Sequence, residues 1–152
     1  MARVFLFSQP TPNVQVFYGI DQAVGKCCPN KRDDVALVQF LLRSVLEDGK
    51  EYRLPPGPSL VIDGICGPRT IEYINAWQEQ ESKLSQGIMK PVQDGQVSPA
   101  LNRSAIGAHS HVRYTIVGLN TIYGFNSGGD KNANIARDPR CPTNLLPSIF
   151  WK

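Results

Sequence analysis

The sequence predicts a mainly α fold of three short helices, with an extended segment before them and a further helix and an irregular tail after them. Two observations carry this prediction. Apolar residues recur at intervals of three and four after Asp33, as they do along the buried face of a helix. The pattern Val-x-Asp-Gly-x-x-(Gly or Ser)-Pro also occurs twice, over residues 61–68 and 92–99.

The composition limits both the size and the class of the protein. A chain of 152 residues with 41% apolar content suits one compact domain with some extension. The net charge of +3 comes without a dense run of lysine and arginine, so we expect no nucleic-acid partner. The apolar run Val4–Phe7 is shorter than the roughly 7–15 residues of a signal peptide, and no run reaches the roughly 18 residues of a membrane span. We therefore expect synthesis in the cytoplasm without a signal peptide, and no membrane association.

The first part of the chain predicts a hairpin or a pair of extended segments, and then a helix. Two β-favouring runs, VFLF and VQVFYGI, surround a Pro- and Asn-rich break within residues 1–26. The first helix follows, with Asp33 or Asp34 as N-cap and Gly49 at its end. Its apolar stripe comprises Val35, Val38, Leu41, Leu42, Val45 and Leu46. Residues 52–60, YRLPPGPSL, predict an irregular loop because they contain three prolines and a glycine.

Each copy of the repeated pattern predicts a turn that leads into a helix. Asp can bond its own downstream backbone and Gly tolerates a positive φ, so Asp-Gly is typical of tight turns. Pro68 is suited to the first position of a helix that continues through residues 70–82, and the buried face of this helix is expected to hold Thr70, Tyr73, Ile74 and Trp77. After the second turn, Ser98 as N-cap and Pro99 predict a third helix over about residues 99–108.

The glutamines and the C-terminal residues complete the organisation. We expect the Gln39 and Gln78 side chains to bond loop backbone. Residues 111–126 fit a strand or a helix capped by Ser110, and the helix is favoured. The tail after them is irregular, and its closing Ile149, Phe150 and Trp151 are expected to pack back onto the body. This organisation predicts an N-terminal segment over 1–26, a central module over 27–108 and a C-terminal extension over 109–152.

The order of these motifs resembles the peptidoglycan-binding-domain-like family, a three-helix module attached to many bacterial and phage cell-wall hydrolases. The resemblance covers about residues 25–108. It rests on Asp34, Val35, Val38, Gln39, Leu42, Asp63, Gly64, Ile65, Gly67, Pro68, Arg69, Thr70, Ile74, Trp77, Gln78, Asp94, Gly95, Val97 and Pro99. The chain departs from the family at Cys66, which replaces an aromatic residue, at Ser98, which replaces Gly, and at Leu101, which replaces Thr. The loop 48–60 is also longer than usual.

The resemblance implies an orthogonal three-helix bundle that docks on peptidoglycan without catalysis, with glycan or stem peptide as ligand. Guanidinium groups, amides and aromatic rings suit such a ligand. The candidate ligand-binding residues are Arg69, Tyr73, Asn75, Tyr52 and Arg53. Core positions are the alternative for Tyr73 and Trp77. Turn and cap roles account for Asp63, Gly64, Gly67, Pro68, Asp94, Gly95 and Pro99, and Thr70 flanks the buried face of its helix.

Catalysis and metal binding find little support in the sequence. His109 and His111 are the only histidines, and a zinc site would need a third ligand such as Asp130 or Asp138. The four cysteines form no C-x-x-C pair, so we expect reduced thiols, with Cys66 as a small core residue. The sequence therefore predicts a non-enzyme with no cofactor and no metal.

Three hypotheses about function remain open at this stage. The first is a peptidoglycan-binding protein that reaches the wall through lysis or a contractile delivery device such as a phage tail. The second is a cytosolic adaptor or particle-assembly protein, with a protein partner or a second copy of the chain docking on the module. The third is a compact wall hydrolase that holds zinc with His109 and His111.

Overall fold

The computed structural model describes residues 3–7, 15–85, 90–100, 113–126 and 135–149, and it shows a mainly α protein, as the sequence predicts. The strands are β1 (Arg3–Phe7), β2 (Gln15–Gly19), β3 (Val24–Gly25) and β4 (Gln96–Val97). The helices are α1 (Arg32–Asp48), α2 (Pro68–Leu84), α3 (Thr115–Asn126) and the single turn α4 (Leu146–Ile149), with a 3-10 turn over Ile135–Arg137 before α4.

The strands form two small antiparallel pairs. β1 pairs with β2, so that Arg3 lies opposite Gly19 and Phe7 opposite Gln15, which confirms the hairpin predicted within residues 1–26. β3 pairs with β4 over two residues, with Val24 opposite Val97. This second pair joins the chain just before α1 to the second Asp-Gly turn.

α1 is the centre of the core. Its predicted stripe is buried throughout, with Val35, Val38, Leu41, Leu42 and Val45 at 0% and Leu46 at 2% exposure. Both α2 and α3 pack against α1, so the helix is covered on more than one face. Gly49 ends the helix as predicted, and its N–H donates to the carbonyl of Val45 at 3.0 Å.

The predicted N-cap of α1 is wrong. The helix begins at Arg32, its N-cap is Lys31, and no side chain caps it. Asp34 is buried instead, and its carboxylate accepts hydrogen bonds from the N–H groups of Asp21 at 3.2 Å and Gln22 at 3.0 Å. Those bonds explain the difference, because they hold the carboxylate against the preceding loop rather than against the first turn of its own helix.

α2 follows the prediction from its first residue. Pro68 occupies the first turn after Gly67. The residues predicted to form its buried face are buried, with Thr70 at 2%, Tyr73 at 1%, and Ile74 and Trp77 at 0% exposure. The loop 52–60 contains neither helix nor strand, again as predicted.

The third helix does not start at Pro99, where the sequence predicts its first residue. Residues 98–100 have no regular structure, so Ser98 caps no helix at Pro99; residues 101–108 lie outside the described ranges. β4 pairs with β3 as far as Val97, so the chain is still extended one residue before the predicted cap. The helix that packs against α1 next to α2 is α3, within residues 111–126, where the sequence favoured a helix over a strand; Ser110 lies outside the described ranges.

α3 and the C-terminal segment are tied to the hairpin and to α1. The Asn120 side chain exchanges hydrogen bonds with the backbone of Tyr18, at 2.8 Å to its N–H and 2.9 Å to its carbonyl. The Tyr18 hydroxyl accepts from the N–H of Ile135 at 2.9 Å. Arg140 pairs with both Asp138 at 2.8 Å and Asp48 at 2.6 Å. The side chains of Ile149, Phe150 and Trp151, predicted to pack back, lie outside the description.

Candidate functional site

The first turn is held by one buried amide. The Oε1 atom of Gln39, on α1, accepts hydrogen bonds from the N–H groups of Asp63 at 3.1 Å and Gly64 at 2.8 Å. Its Nε2 atom donates to Asp63 at 2.9 Å, to the carbonyl of Ile65 at 3.0 Å and to the Thr70 hydroxyl at 3.0 Å. The predicted role of Gln39 as a partner of loop backbone is confirmed.

The second turn repeats this arrangement with Gln78, on α2. Its Oε1 atom accepts from the N–H of Gly95 at 3.0 Å. Its Nε2 atom donates to Asp94 at 3.3 Å, to the carbonyl of Gln96 at 2.8 Å and to the Thr115 hydroxyl at 3.1 Å. Gln78 too binds loop backbone, as predicted.

The internal turn chemistry is also repeated. The Asp63 carboxylate accepts from the N–H of Ile65 at 2.8 Å, and the Asp94 carboxylate accepts from the N–H of Gln96 at 2.9 Å. Burial disfavours the charge of Asp63, but hydrogen bonds from Gln39 and from Ile65 outweigh it and lower the pKa of this carboxyl.

The threonine that completes each turn comes from the next helix. Thr70 lies near the start of α2 and Thr115 at the start of α3. The resemblance places Leu101 where the family has its second threonine, but the hydroxyl that reaches Gln78 belongs to Thr115. No signal in the sequence marked Thr115, because it lies much further from its turn than Thr70 does.

Arg69 is engaged by the loop that precedes it. Its Nε atom donates to the carbonyl of Pro58 at 2.9 Å, its Nη1 atom to that of Pro56 at 2.8 Å, and its Nη2 atom to that of Pro55 at 3.1 Å. The guanidinium also lies over the ring of Tyr73, 4.8 Å from its centroid. Arg69 therefore holds this proline-rich loop against α2.

Tyr73 and Tyr52 both make contacts inside the protein, Tyr73 through its ring and Tyr52 through its hydroxyl. Tyr73 is 1% exposed, so its ring belongs to the core. The hydroxyl of half-buried Tyr52 donates to Glu81 at 2.5 Å. Burial first, and then this hydrogen bond, raise the pKa of Tyr52. Glu81 also accepts a hydrogen bond from Arg113. This carboxylate on α2 therefore binds both Tyr52, in the loop before α2, and Arg113, just before α3.

Arg53 and Asn75 are the candidate residues whose side chains reach solvent. The backbone of Arg53 is held in both directions by Gln80, whose Oε1 accepts from the Arg53 N–H at 2.6 Å and whose Nε2 donates to the Arg53 carbonyl at 2.9 Å. Asn75 lies beside the second turn, since a Cβ atom on Gly95 would be 3.0 Å from its Oδ1 atom. The structure therefore brings Arg69 together with Tyr73 and with the loop that begins at Tyr52 and Arg53, whereas Asn75 lies beside the second turn.

The described residues offer no evident metal centre. No group of three or more His, Cys, Asp or Glu side chains in the described ranges is placed to hold a metal ion. His109 and His111 lie outside those ranges. Cys66 is half-buried against the core, as expected of a small apolar side chain, and burial raises the pKa of its thiol. None of the helices that the structure describes has both the length and the apolar character to cross a membrane.

The comparisons with known proteins give no identification. No protein-family model, no curated protein and no solved structure matches the chain. The resemblance to the peptidoglycan-binding-domain-like family therefore remains a prediction from the motif residues.

Proposed function

We propose that this protein is a non-catalytic module that binds bacterial cell-wall peptidoglycan, with α1, α2 and α3 as its three helices. The observation that supports this is the repeated glutamine-held turn. Gln39 and Gln78 belong to the motif on which the family resemblance rests, and each holds the Asp-Gly turn of the same motif. With Thr115 in the place of the second threonine, the long connection before α3 is an insertion into the module.

Of the candidate residues, Arg53 and Asn75 can reach a ligand without disturbing the fold. Arg69 would have to give up its hydrogen bonds to the carbonyls of Pro55, Pro56 and Pro58, whereas both exposed side chains project into solvent. Guanidinium and amide groups suit the carboxylates and amides of the stem peptide. Delivery to the wall by lysis or by a phage or contractile particle accords with the sequence prediction.

The test is a pull-down with purified, protein-free sacculi at low salt. We expect the protein to sediment with the sacculi, and recovery in the supernatant would overturn the proposal. An unrelated protein of similar size and charge, run beside it, controls for nonspecific adsorption of a basic chain.

A second function, as an assembly or adaptor protein, is favoured by one observation. Within the described ranges, β1 pairs with no strand except β2, although α4 also contacts it, and a strand edge without a partner strand can pair with another chain. Its sequence, RVFLF, carries one charge. Size-exclusion chromatography with light scattering tests this reading: a dimer or trimer supports it, and a strict monomer argues against it.

A further inference from the structure

The loop Tyr52–Pro58, here called the clamped loop, is exposed yet fixed at two points. Gln80 holds the backbone of Arg53 through both its N–H and its carbonyl. Arg69 holds the carbonyls of Pro55, Pro56 and Pro58. Hydrogen bonds from two α2 side chains therefore fix a segment that has no helix or strand of its own.

Proline chemistry stiffens the same segment. The rings of its three prolines fix φ near −65°, and the residue before a proline is restricted to extended conformations. Such a segment has lost much of its conformational freedom before any ligand arrives, so binding costs less entropy. The two clamps and the prolines together make the clamped loop a preorganised surface.

The side chains that this surface presents are one cation and several apolar groups. Arg53 is exposed, and within the described part of the chain no carboxylate pairs with its guanidinium. Leu54 beside it is 48% exposed, and Pro56 and Pro58 are exposed. The neighbouring cation Arg69 has a carboxylate partner in Glu72, at 2.8 Å. Arg53 is therefore the guanidinium of this loop that remains available to an anion.

We infer that the clamped loop is the contact surface for the peptide part of the wall polymer, with Arg53 receiving a free carboxylate and Leu54 an adjacent aliphatic side chain. This inference rests on the proposed function and narrows its ligand. A carboxylate fits the unpaired guanidinium by charge and by bidentate geometry. Stacking of sugar rings would need an exposed aromatic platform; the loop's one aromatic residue, Tyr52, is half-buried and bound to Glu81, and the exposed surface of the loop is aliphatic and proline. Arg69 and Gln80 act on this surface as positioning residues.

The experiment titrates the full, ¹⁵N-labelled chain with three probes and follows backbone amides and arginine Nε–H groups by NMR. The probes are a synthetic stem pentapeptide, the same peptide with every carboxylate converted to a carboxamide, and an N-acetylglucosamine tetramer. We expect the pentapeptide alone to shift the Arg53 Nε–H and the amides of Arg53 and Leu54. Larger shifts with the sugar tetramer, or equal shifts with the amidated peptide, would overturn the inference.

Arg53→Ala provides the matched affinity measurement. We expect it to weaken pentapeptide binding by about tenfold, the scale of a lost charge-assisted hydrogen bond. Arg137→Ala, which removes another exposed guanidinium, should leave binding unchanged. Because Arg53 is exposed, both variants should keep the amide spectrum of the folded chain, so that loss of binding is not loss of folding.

The sacculus pull-down distinguishes failure of this inference from failure of the proposed function. If the protein sediments with sacculi while Arg53→Ala binds the pentapeptide like the parent chain, this inference fails and the proposed function stands. If the protein stays in the supernatant and the pentapeptide causes no shifts, both fail. Sedimentation together with an Arg53-dependent pentapeptide shift supports both.

Discussion

Gln39 and Gln78 hold the two Asp-Gly turns through the same pair of atoms. The Oε1 atom of each accepts a hydrogen bond from the turn glycine, at 2.8 Å from Gly64 and at 3.0 Å from Gly95. Each glutamine lies on the helix before its turn and also binds a threonine of the helix after it. One side chain therefore joins two consecutive helices and the turn between them, and the module uses this device twice.

Replacing Gln39 with Leu should destabilise the protein by about 3 kcal/mol. The side chain is 1% exposed, and its loss leaves the N–H groups of Asp63 and Gly64 without their acceptor; an unsatisfied buried group costs about 1–3 kcal/mol. Gln78→Leu should behave similarly. Urea unfolding followed by circular dichroism measures both changes.

Gln80→Leu is the control for this prediction, because its hydrogen bonds to Arg53 are exposed. We expect it to cost less than about 1 kcal/mol. If Gln39→Leu is no more destabilising than Gln80→Leu, the hydrogen bonds of the buried Gln39 amide do not stabilise the first turn as described.

The two turn glycines should differ in their tolerance of alanine. Both have a positive φ, +74° at Gly64 and +69° at Gly95, which costs an alanine about 1–2 kcal/mol. At Gly64 the added Cβ would also lie 2.8 Å from the backbone oxygen of Arg32, whereas at Gly95 it would meet the movable side chain of Asn75 at 3.0 Å. Gly64→Ala should therefore cost about 3 kcal/mol and Gly95→Ala about 1–2 kcal/mol. Equal losses of unfolding free energy would contradict this account.

The parts of this fold that could be predicted are those set by neighbouring residues. The Asp-Gly turns, the start of α2 at Pro68 and the stripe of α1 each follow from residues a few positions apart. Ser98 and Pro99 did not place the third helix: residues 98–100 have no regular structure, and the chain just before them is paired, Val97 with Val24. Such pairing joins segments far apart in the chain, and a single sequence carries no sign of it.

The candidate site divides in the same way. The residue types suited to a wall ligand could be chosen from the sequence, but which of them are free depends on tertiary contacts. Arg69 is engaged by three proline carbonyls, and Arg53 is left exposed because Gln80 binds its backbone rather than its side chain. The role of Gln80 had no local signal, because its partner lies on the loop before α2.

Gly67→Ser should stabilise the protein by roughly a few tenths of a kcal/mol, because glycine is already tolerated at an N-cap. Gly67 is the N-cap of α2, its φ of −92° and ψ of −179° suit a serine there, and no side chain now caps the helix. No atom lies within 4 Å of the position a Cβ would take, so the serine should fit and its hydroxyl can accept from a free N–H of the first turn. Thermal unfolding measures the gain, and Gly67→Ala is the control because it adds the Cβ without the hydroxyl. An equal gain in both variants would show that the cap is not the cause.

Asp138 should contribute stability that is lost in acid. Burial of this carboxyl opposes its charge, but hydrogen bonds from Arg140 outweigh the burial and hold its pKa below the ordinary value of about 3.9. Above that value the carboxyl is ionised in both the folded and the unfolded chain, and its contribution is complete. As the pH falls below that value, Asp138 is protonated in the unfolded chain before it is protonated in the folded chain. The stabilisation from Asp138 therefore decreases with falling pH, and it is lost once the pH is below the lower pKa of the folded state.

Asp138→Asn should therefore lower stability at neutral pH by about 2 kcal/mol and flatten its fall below about pH 4. Asp48→Asn is the matched control, since Asp48 pairs with the same Arg140 but its side chain is 46% exposed, against 1% for Asp138; its effect should be below about 1 kcal/mol. Urea unfolding from neutral pH down to about pH 2 measures both variants. If the stability of Asp138→Asn falls in acid as steeply as that of the parent chain, other carboxyls cause the loss, and the pair of Arg140 with buried Asp138 has no part in it.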